Sequence, residues 1–202
     1  MTKVFSYAGV NPETGLYQFR NSKGELTSDP SDPADKIAWV STDPTWYGGF
    51  SNTFSYKNIS LSAFFSFVSQ MGPNQKFNTV PGINFNYNSM VNVLDHWRKP
   101  GDNAPLQMVS MDFGKIGTPW RRATNSDGAY SRIRYARLQN LTLAYTLSPE
   151  VAQRLKLSNL RLFLQGQNLF TISNFENGDP EIQDTRWIGL IRRYTIGAQF
   201  TF

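Results

Sequence analysis

IRYARLQNLTLAYTL (residues 133–147), NLRLFLQGQNLFTI (159–172) and RYTIGAQFTF (193–202) share one pattern, and their reading decides the fold. Apolar and polar residues alternate with the period of two that sends successive side chains to opposite faces of a β-strand. The last segment sets Tyr194, Ile196, Ala198, Phe200 and Phe202 against Thr195, Gly197, Gln199 and Thr201. The middle one sets Leu160, Leu162, Leu164, Phe170 and Ile172 against Arg161, Gln165, Gln167 and Thr171, and Asn168 interrupts its apolar side. The first sets Tyr135, Leu141, Leu143 and Tyr145 against Asn140, Thr142, Ala144 and Thr146.

Working outward, residues 46–56 and 59–67 alternate in the same way about the tight turn Lys57-Asn58, which reads as a hairpin. Its apolar face carries Trp46, Phe50, Phe54 and Tyr56, then Ile59, Leu61, Ala63, Phe65 and Phe67. Residues 3–8 and 16–19 are weaker strand signals on either side of the turn-rich Gly9-Val10-Asn11-Pro12-Glu13-Thr14-Gly15. Pro149 to Leu155 reads as one or two helical turns. Residues 69–132 read as mostly irregular, with a short helix possible over 90–97, and 174–190 reads as loop.

Alternation alone also fits a soluble sheet covered on one side. Three further features favour a membrane-spanning barrel wall. Trp46 and Tyr56, Tyr135 and Tyr145, and Tyr194 and Phe202 bracket three strands, each pair on one parity. Such a spacing, tilted, spans roughly 25 Å, the height of a barrel's apolar band. Short connections (57–58 and 148–158) fall at one end and long ones (69–132 and 173–190) at the other, as in barrels. The polar face is mostly Ser, Thr, Asn and Gln, as suits a wet interior.

Composition agrees. The chain has 202 residues, with 15 Phe, 9 Tyr and 5 Trp, no cysteine and a net charge of +5. Mean hydropathy is negative, and no apolar run approaches the about 20 residues of a membrane helix. The basic residues are scattered, so no nucleic-acid partner is expected. No apolar segment follows Met1 as in a signal peptide.

At these residues the chain resembles a family. Residues 135–148 (YARLQNLTLAYTLS) are similar to the LRLKNLTLGYTLP segment of the SusC/RagA family of TonB-dependent outer-membrane transporters, and 159–171 (NLRLFLQGQNLFT) to its LRVYVSGQNLFT segment. Gly178-Asp179-Pro180-Glu181, the terminal 194–202, residues 8–15 and residues 46–54 fit in the same order. Ala144 stands where the family has Gly, and Ser148-Pro149 where it has a direct Leu-Pro.

The resemblance implies an all-β fold. It would be an antiparallel transmembrane barrel segment, an open curved sheet of about five to seven strands from a barrel of about 22, with long extracellular loops. Residues 1–202 would form the C-terminal part of that barrel, without the plug and TonB box. Further implications are the outer membrane as location and uptake of glycans, or sometimes peptides. The implied partners are a SusD-like surface lipoprotein, the TonB complex and outer-membrane lipid. The rival reading is a secreted or surface β-sandwich that binds carbohydrate.

Site signals are sparse. His96 is the only histidine and reads as an exposed loop residue. Asp179 and Glu181 lack calcium-loop spacing and read as turn chemistry. No nucleophile elbow is present, and neither catalysis nor a cofactor or metal is expected. Trp120 and Arg121, in a loop-like stretch, are the candidates for contact with substrate. Phe202, closing an alternating strand, is the candidate assembly signal. The apolar face formed by residues such as Phe50, Phe54, Leu61, Phe65, Leu141, Leu143, Leu162, Leu164, Ile196 and Phe200 should stay uncovered, with open edges at the first strand and along 194–202.

Overall fold

The computed structural model describes residues 1–78, 82, 91–176, 178–183 and 188–202. The chain forms two compact units, residues 1–43 with 71–131 and residues 44–70 with 132–202.

The first unit carries short strands β1 (Thr2–Val4), β2 (Ser6–Val10), β3 (Tyr17–Arg20), β4 (Leu26–Thr27) and β5 (Ala38–Val40). They form a two-stranded sheet, β1-β5, and a three-stranded sheet, β2-β3-β4. The weak strand signals near the N-terminus thus belong to small sheets of their own and not to the barrel sheet. Phe5, Tyr17, Phe19, Phe77, Leu106 and Ala123 make the core, with Tyr7, Val10, Trp120 and Ala129 packed against it. The rings meet edge-on, Tyr17 against Phe77 at 5.1 Å between centroids, which aligns the electropositive edge of one with the face of the other. The Trp97 indole N–H donates to the Pro12 carbonyl oxygen at 2.7 Å. Its ring lies so close to Gly15, at φ +70°, that a Cβ there would collide with it. Glycine is therefore required at that position for both torsion and space.

Sequence reading missed helix α1 (Phe113–Thr124). Trp120 and Arg121 lie in that helix, not in a loop. Gly114, Gly117 and Pro119 argue against a helix by propensity. The Asp112 side chain caps it by accepting from the Lys115 N–H at 3.2 Å, and Ile116, Pro119 and Ala123 are buried, so packing overrides propensity. A 3₁₀ turn at Val91–Asp95 stands within the short helix expected over 90–97, of which Met90 lies outside the described residues.

The second unit is one sheet of five strands. They are β6 (Pro44–Tyr56), β7 (Ile59–Pro73), β8 (Tyr130–Thr146), β9 (Asn159–Ser173) and β10 (Arg193–Thr201), in the order β6-β7-β8-β9-β10. The terminal residues of β7 and β8 belong to the first unit. Neighbours in sequence are neighbours in the sheet, and β6 and β10 are its edges, as expected. Lys57, at φ 51°, makes the β6–β7 turn, so Tyr56 faces Ile59, Phe54 faces Leu61 and Phe50 faces Phe65. Thr53 and Ser62 bond across the same hairpin through their hydroxyls, 2.9 Å apart. Helix α2 (Pro149–Arg154) fills the short β8–β9 connection, with proline at the position where its missing N–H costs nothing.

Candidate functional site

The register aligns the alternating rows. Leu143 faces Leu164 and Leu164 faces Ile196, so one apolar row crosses three strands. Thr142, Gln165 and Thr195 form the polar row beside it. Leu143, Leu164 and Ile196 are 47%, 50% and 85% exposed. Phe50, Phe54, Leu61, Leu162 and Phe200 are exposed as well, and Phe65 and Leu141 are half-buried. A β-sandwich would bury this face against its second sheet. An open apolar face of this extent suits a hydrocarbon environment.

One part of the expected face departs from the sequence reading. Leu138 pairs with Phe170 but Asn140 pairs with Gln167, so β9 uses one residue more than β8 there. Asn168, at φ 53°, sits within this bulge, a backbone region that asparagine tolerates better than most residues. Beyond it the even-numbered residues of β9 oppose even-numbered residues of β8, where below it they opposed odd ones. Phe170 and Ile172 therefore oppose even-numbered residues of β8, unlike Leu162 and Leu164, and along the expected β8 face Leu143 and Tyr145 are exposed while Tyr135 is not. Tyr135 is buried together with Ile133 and Arg137, and it is not the upper ring of an aromatic pair with Tyr145.

β10 pairs with β9 only from Asn159 to Gln167. The last residues of β9 and the first half of β8 thus run on past the start of β10. Asn174 continues the ladder there. Its side-chain oxygen accepts from the Arg134 N–H at 2.7 Å, and its side-chain amide donates to the Arg132 carbonyl oxygen at 2.8 Å.

The main polar feature of this extension is a buried ion pair. Arg137, with 1% of its side chain exposed, donates through Nη2 to Asp179 Oδ1 at 2.7 Å, and its Nε lies 3.8 Å from Glu181 Oε2. Asp179 also accepts the N–H of Glu181 at 2.9 Å and of Leu190 at 3.1 Å. Burial alone would raise the Asp179 carboxyl pKa. The bonds from Arg137, Glu181 and Leu190 outweigh it and hold the group below the usual carboxylate range. Asp179 and Glu181 do shape a turn, as expected, but they also hold that turn to β8. The sequence signal was Arg137, a lone cation on its face of β8, with two acids beyond the following strand.

The other singled-out residues are dispersed. The Trp120 indole packs on the aromatic core and donates to the Phe77 carbonyl oxygen at 2.9 Å. Arg121 is exposed, with its guanidinium 5.9 Å from the Phe113 ring centre. His96 is half-buried rather than exposed, its Nδ1 2.8 Å from the Val93 carbonyl oxygen. Phe202 is open, with its ring edge-on to Phe200 at 5.6 Å. Among the described residues no group of three or more His, Cys, Asp or Glu could hold a metal ion.

An open antiparallel sheet with an uncovered apolar face defines the wall of a membrane β-barrel. No family model matches the chain. It is 25% identical over 171 residues to TonB-dependent receptor P3 of Formosa agariphila, covering 85% of this chain and 16% of that receptor. It is 28% identical over 169 residues to TonB-dependent receptor P26 of the same organism, covering 82% of this chain and 16% of the receptor. In the open-open state of the RagAB peptide importer, the matching chain superposes with a TM-score of 0.74 at 22% identity, over 98% of this chain and 22% of that one. The RagAB peptide transporter gives 0.72 at 23% identity. The chain is thus similar to part of these TonB-dependent receptors and shares the fold of the matching part of the RagAB importer. It spans about a sixth of the curated relatives it matches.

Proposed function

We propose that the protein containing this segment imports oligomeric nutrients across the outer membrane, energised by TonB, with a SusD-like surface lipoprotein as partner. The observation that carries this reading is the uncovered apolar row Leu143–Leu164–Ile196 in a chain similar to TonB-dependent receptors. The second unit is barrel wall, and residues 1–202 are taken as the C-terminal part of that barrel. The resemblance read in the sequence favours glycans, but the similar solved structures are peptide importers, and short peptides are the substrate class we favour. Oligosaccharides are the second reading. Trp120 serves the core of the first unit, which leaves Arg121 as the freer of the two suggested contacts.

Fractionation tests the location. The full-length protein should pellet with outer membranes and require detergent for release; recovery in the aqueous phase without detergent would remove the transporter reading. Uptake of labelled peptides, lost on deletion of the gene while oligosaccharide uptake persists, tests the substrate class.

Phe202 is proposed as part of the assembly signal, since it closes a strand with apolar residues at every second position. Deleting it from the full-length protein should lower the amount of folded protein in the outer membrane. Unchanged yield would leave Phe202 as an ordinary ring at the lipid border.

A further inference from the structure

Lys3 and Trp39 are directly opposed across the β1–β5 pair, and both are exposed on it. The Lys3 ammonium lies 5.1 Å from the centre of the Trp39 ring. Trp39 is nevertheless 60% exposed, which is unusual for the largest apolar side chain and is itself a mark of binding surfaces. Beside it a groove of about 480 Å³ is lined by Lys3, Pro33, Ala34, Lys36, Ile37 and Trp39.

The turn that forms the far wall of the groove is held from within. Asp35 accepts the Ser22 N–H, the Ser22 hydroxyl and the Ser31 N–H at 2.9, 2.8 and 2.7 Å. Its carboxylate is thereby used by the fold and is not a lining group of the groove. Lys36 shares Asp32 with Arg122, at 2.9 and 3.4 Å. Lys3 has no carboxylate partner among the described residues. The groove therefore combines an apolar floor of Pro33, Ala34, Ile37 and Trp39 with a cationic rim on which Lys3 is unneutralised.

This chemistry selects among occupants. A neutral sugar is usually gripped by carboxylate and amide side chains at its hydroxyls, and the lining side chains supply only two ammonium groups and an indole N–H. An apolar side chain next to a carboxylate matches both parts, with the side chain on the floor and the carboxylate at Lys3, a charge complementarity that fixes orientation. We propose that this groove binds a peptide segment presenting an apolar side chain beside a carboxylate. The proposal deepens the peptide-import reading and rests on it for its biological meaning.

The test uses the full-length protein in detergent and a fluorescein-labelled peptide with leucine beside glutamate, followed by anisotropy. Trp39→Ala should weaken binding about tenfold, as for a central aromatic contact. Lys3→Gln should weaken it about fivefold and flatten its dependence on salt. Replacing the glutamate of the peptide by glutamine should cost about as much as Lys3→Gln, and should leave the Lys3→Gln protein indifferent. Unshifted heat-modifiable gel mobility controls for folding, and Trp39→Phe, which keeps a ring, should retain most of the affinity. Wild-type affinity in both Trp39→Ala and Lys3→Gln overturns the site. Displacement by oligogalacturonate at concentrations where unlabelled peptide fails overturns the peptide assignment in favour of acidic sugars. Peptide uptake by cells separates the two readings. If wild-type cells take up no peptide, import falls while the anisotropy result still decides the groove.

Discussion

Arg137→Met should destabilise the connection between β9 and β10 by about 3–5 kcal/mol, the range for removing one partner of a buried ion pair. The cost arises because Asp179, with 11% of its side chain exposed, would remain charged and poorly solvated. Methionine fills much of the volume, so the loss is mainly that of the charge and its hydrogen bond. Limited proteolysis of the folded full-length protein reads the effect, with cleavage expected within the β9–β10 connection. A double-mutant cycle with Asp179→Asn isolates the pair. The double variant should be less damaged than the sum of the single ones. The sign with pH follows from the lowered Asp179 pKa. A carboxyl whose pKa lies lower in the folded state contributes stability above its unfolded pKa and loses it as pH falls through the folded value. Acid should therefore loosen the connection in the wild-type protein, and Arg137→Met should show a weaker response. Cleavage of Arg137→Met indistinguishable from wild type at neutral pH would show that the turn is held by its backbone bonds alone.

The sheet was legible because its rule is local. A period of two and a tight turn can be read residue by residue, so the hairpin about Lys57-Asn58, the three later strands and the two edges follow directly. The bulge was only half legible. Asn168 was visible as an interruption, but its backbone torsion and the change of partners beyond it belong to pairing between strands. The same limit hid the Arg137–Asp179 pair, whose members are 42 residues apart in the chain. The first unit was read least well. Its core assembles Phe5, Tyr17, Phe19, Phe77 and Leu106 from distant points, with only weak strand signals around the first three and none around Phe77 and Leu106. Helix α1 contains two glycines and an internal proline, so the only local sign of it was the capping residue Asp112. Trp120 looked like a free aromatic because nothing local to it reveals that its ring and N–H are both in use.

Leu164→Arg should cost the folded protein about 2–4 kcal/mol in a lipid bilayer, the range for arginine near the midplane of a barrel's lipid face. Leu164 is suited to the test because it sits near the middle of the β9 segment that β10 pairs, between Leu143 and Ile196 in the apolar row. Gln165→Arg is the control. It lies one residue along the same strand, in the row of Thr142 and Thr195, so its side chain faces the opposite side of the sheet. In a wet lumen that substitution should change stability little. Denaturant unfolding of the full-length protein in lipid vesicles measures both. The sign decides between the two architectures. On a water-exposed sheet surface, replacing a half-open leucine by arginine would be close to neutral and would improve solubility. A large loss for Leu164→Arg beside a small one for Gln165→Arg requires that the two faces meet different solvents. Equal and small effects would mean that both faces meet water, and the barrel-wall assignment would fail on its own physical ground.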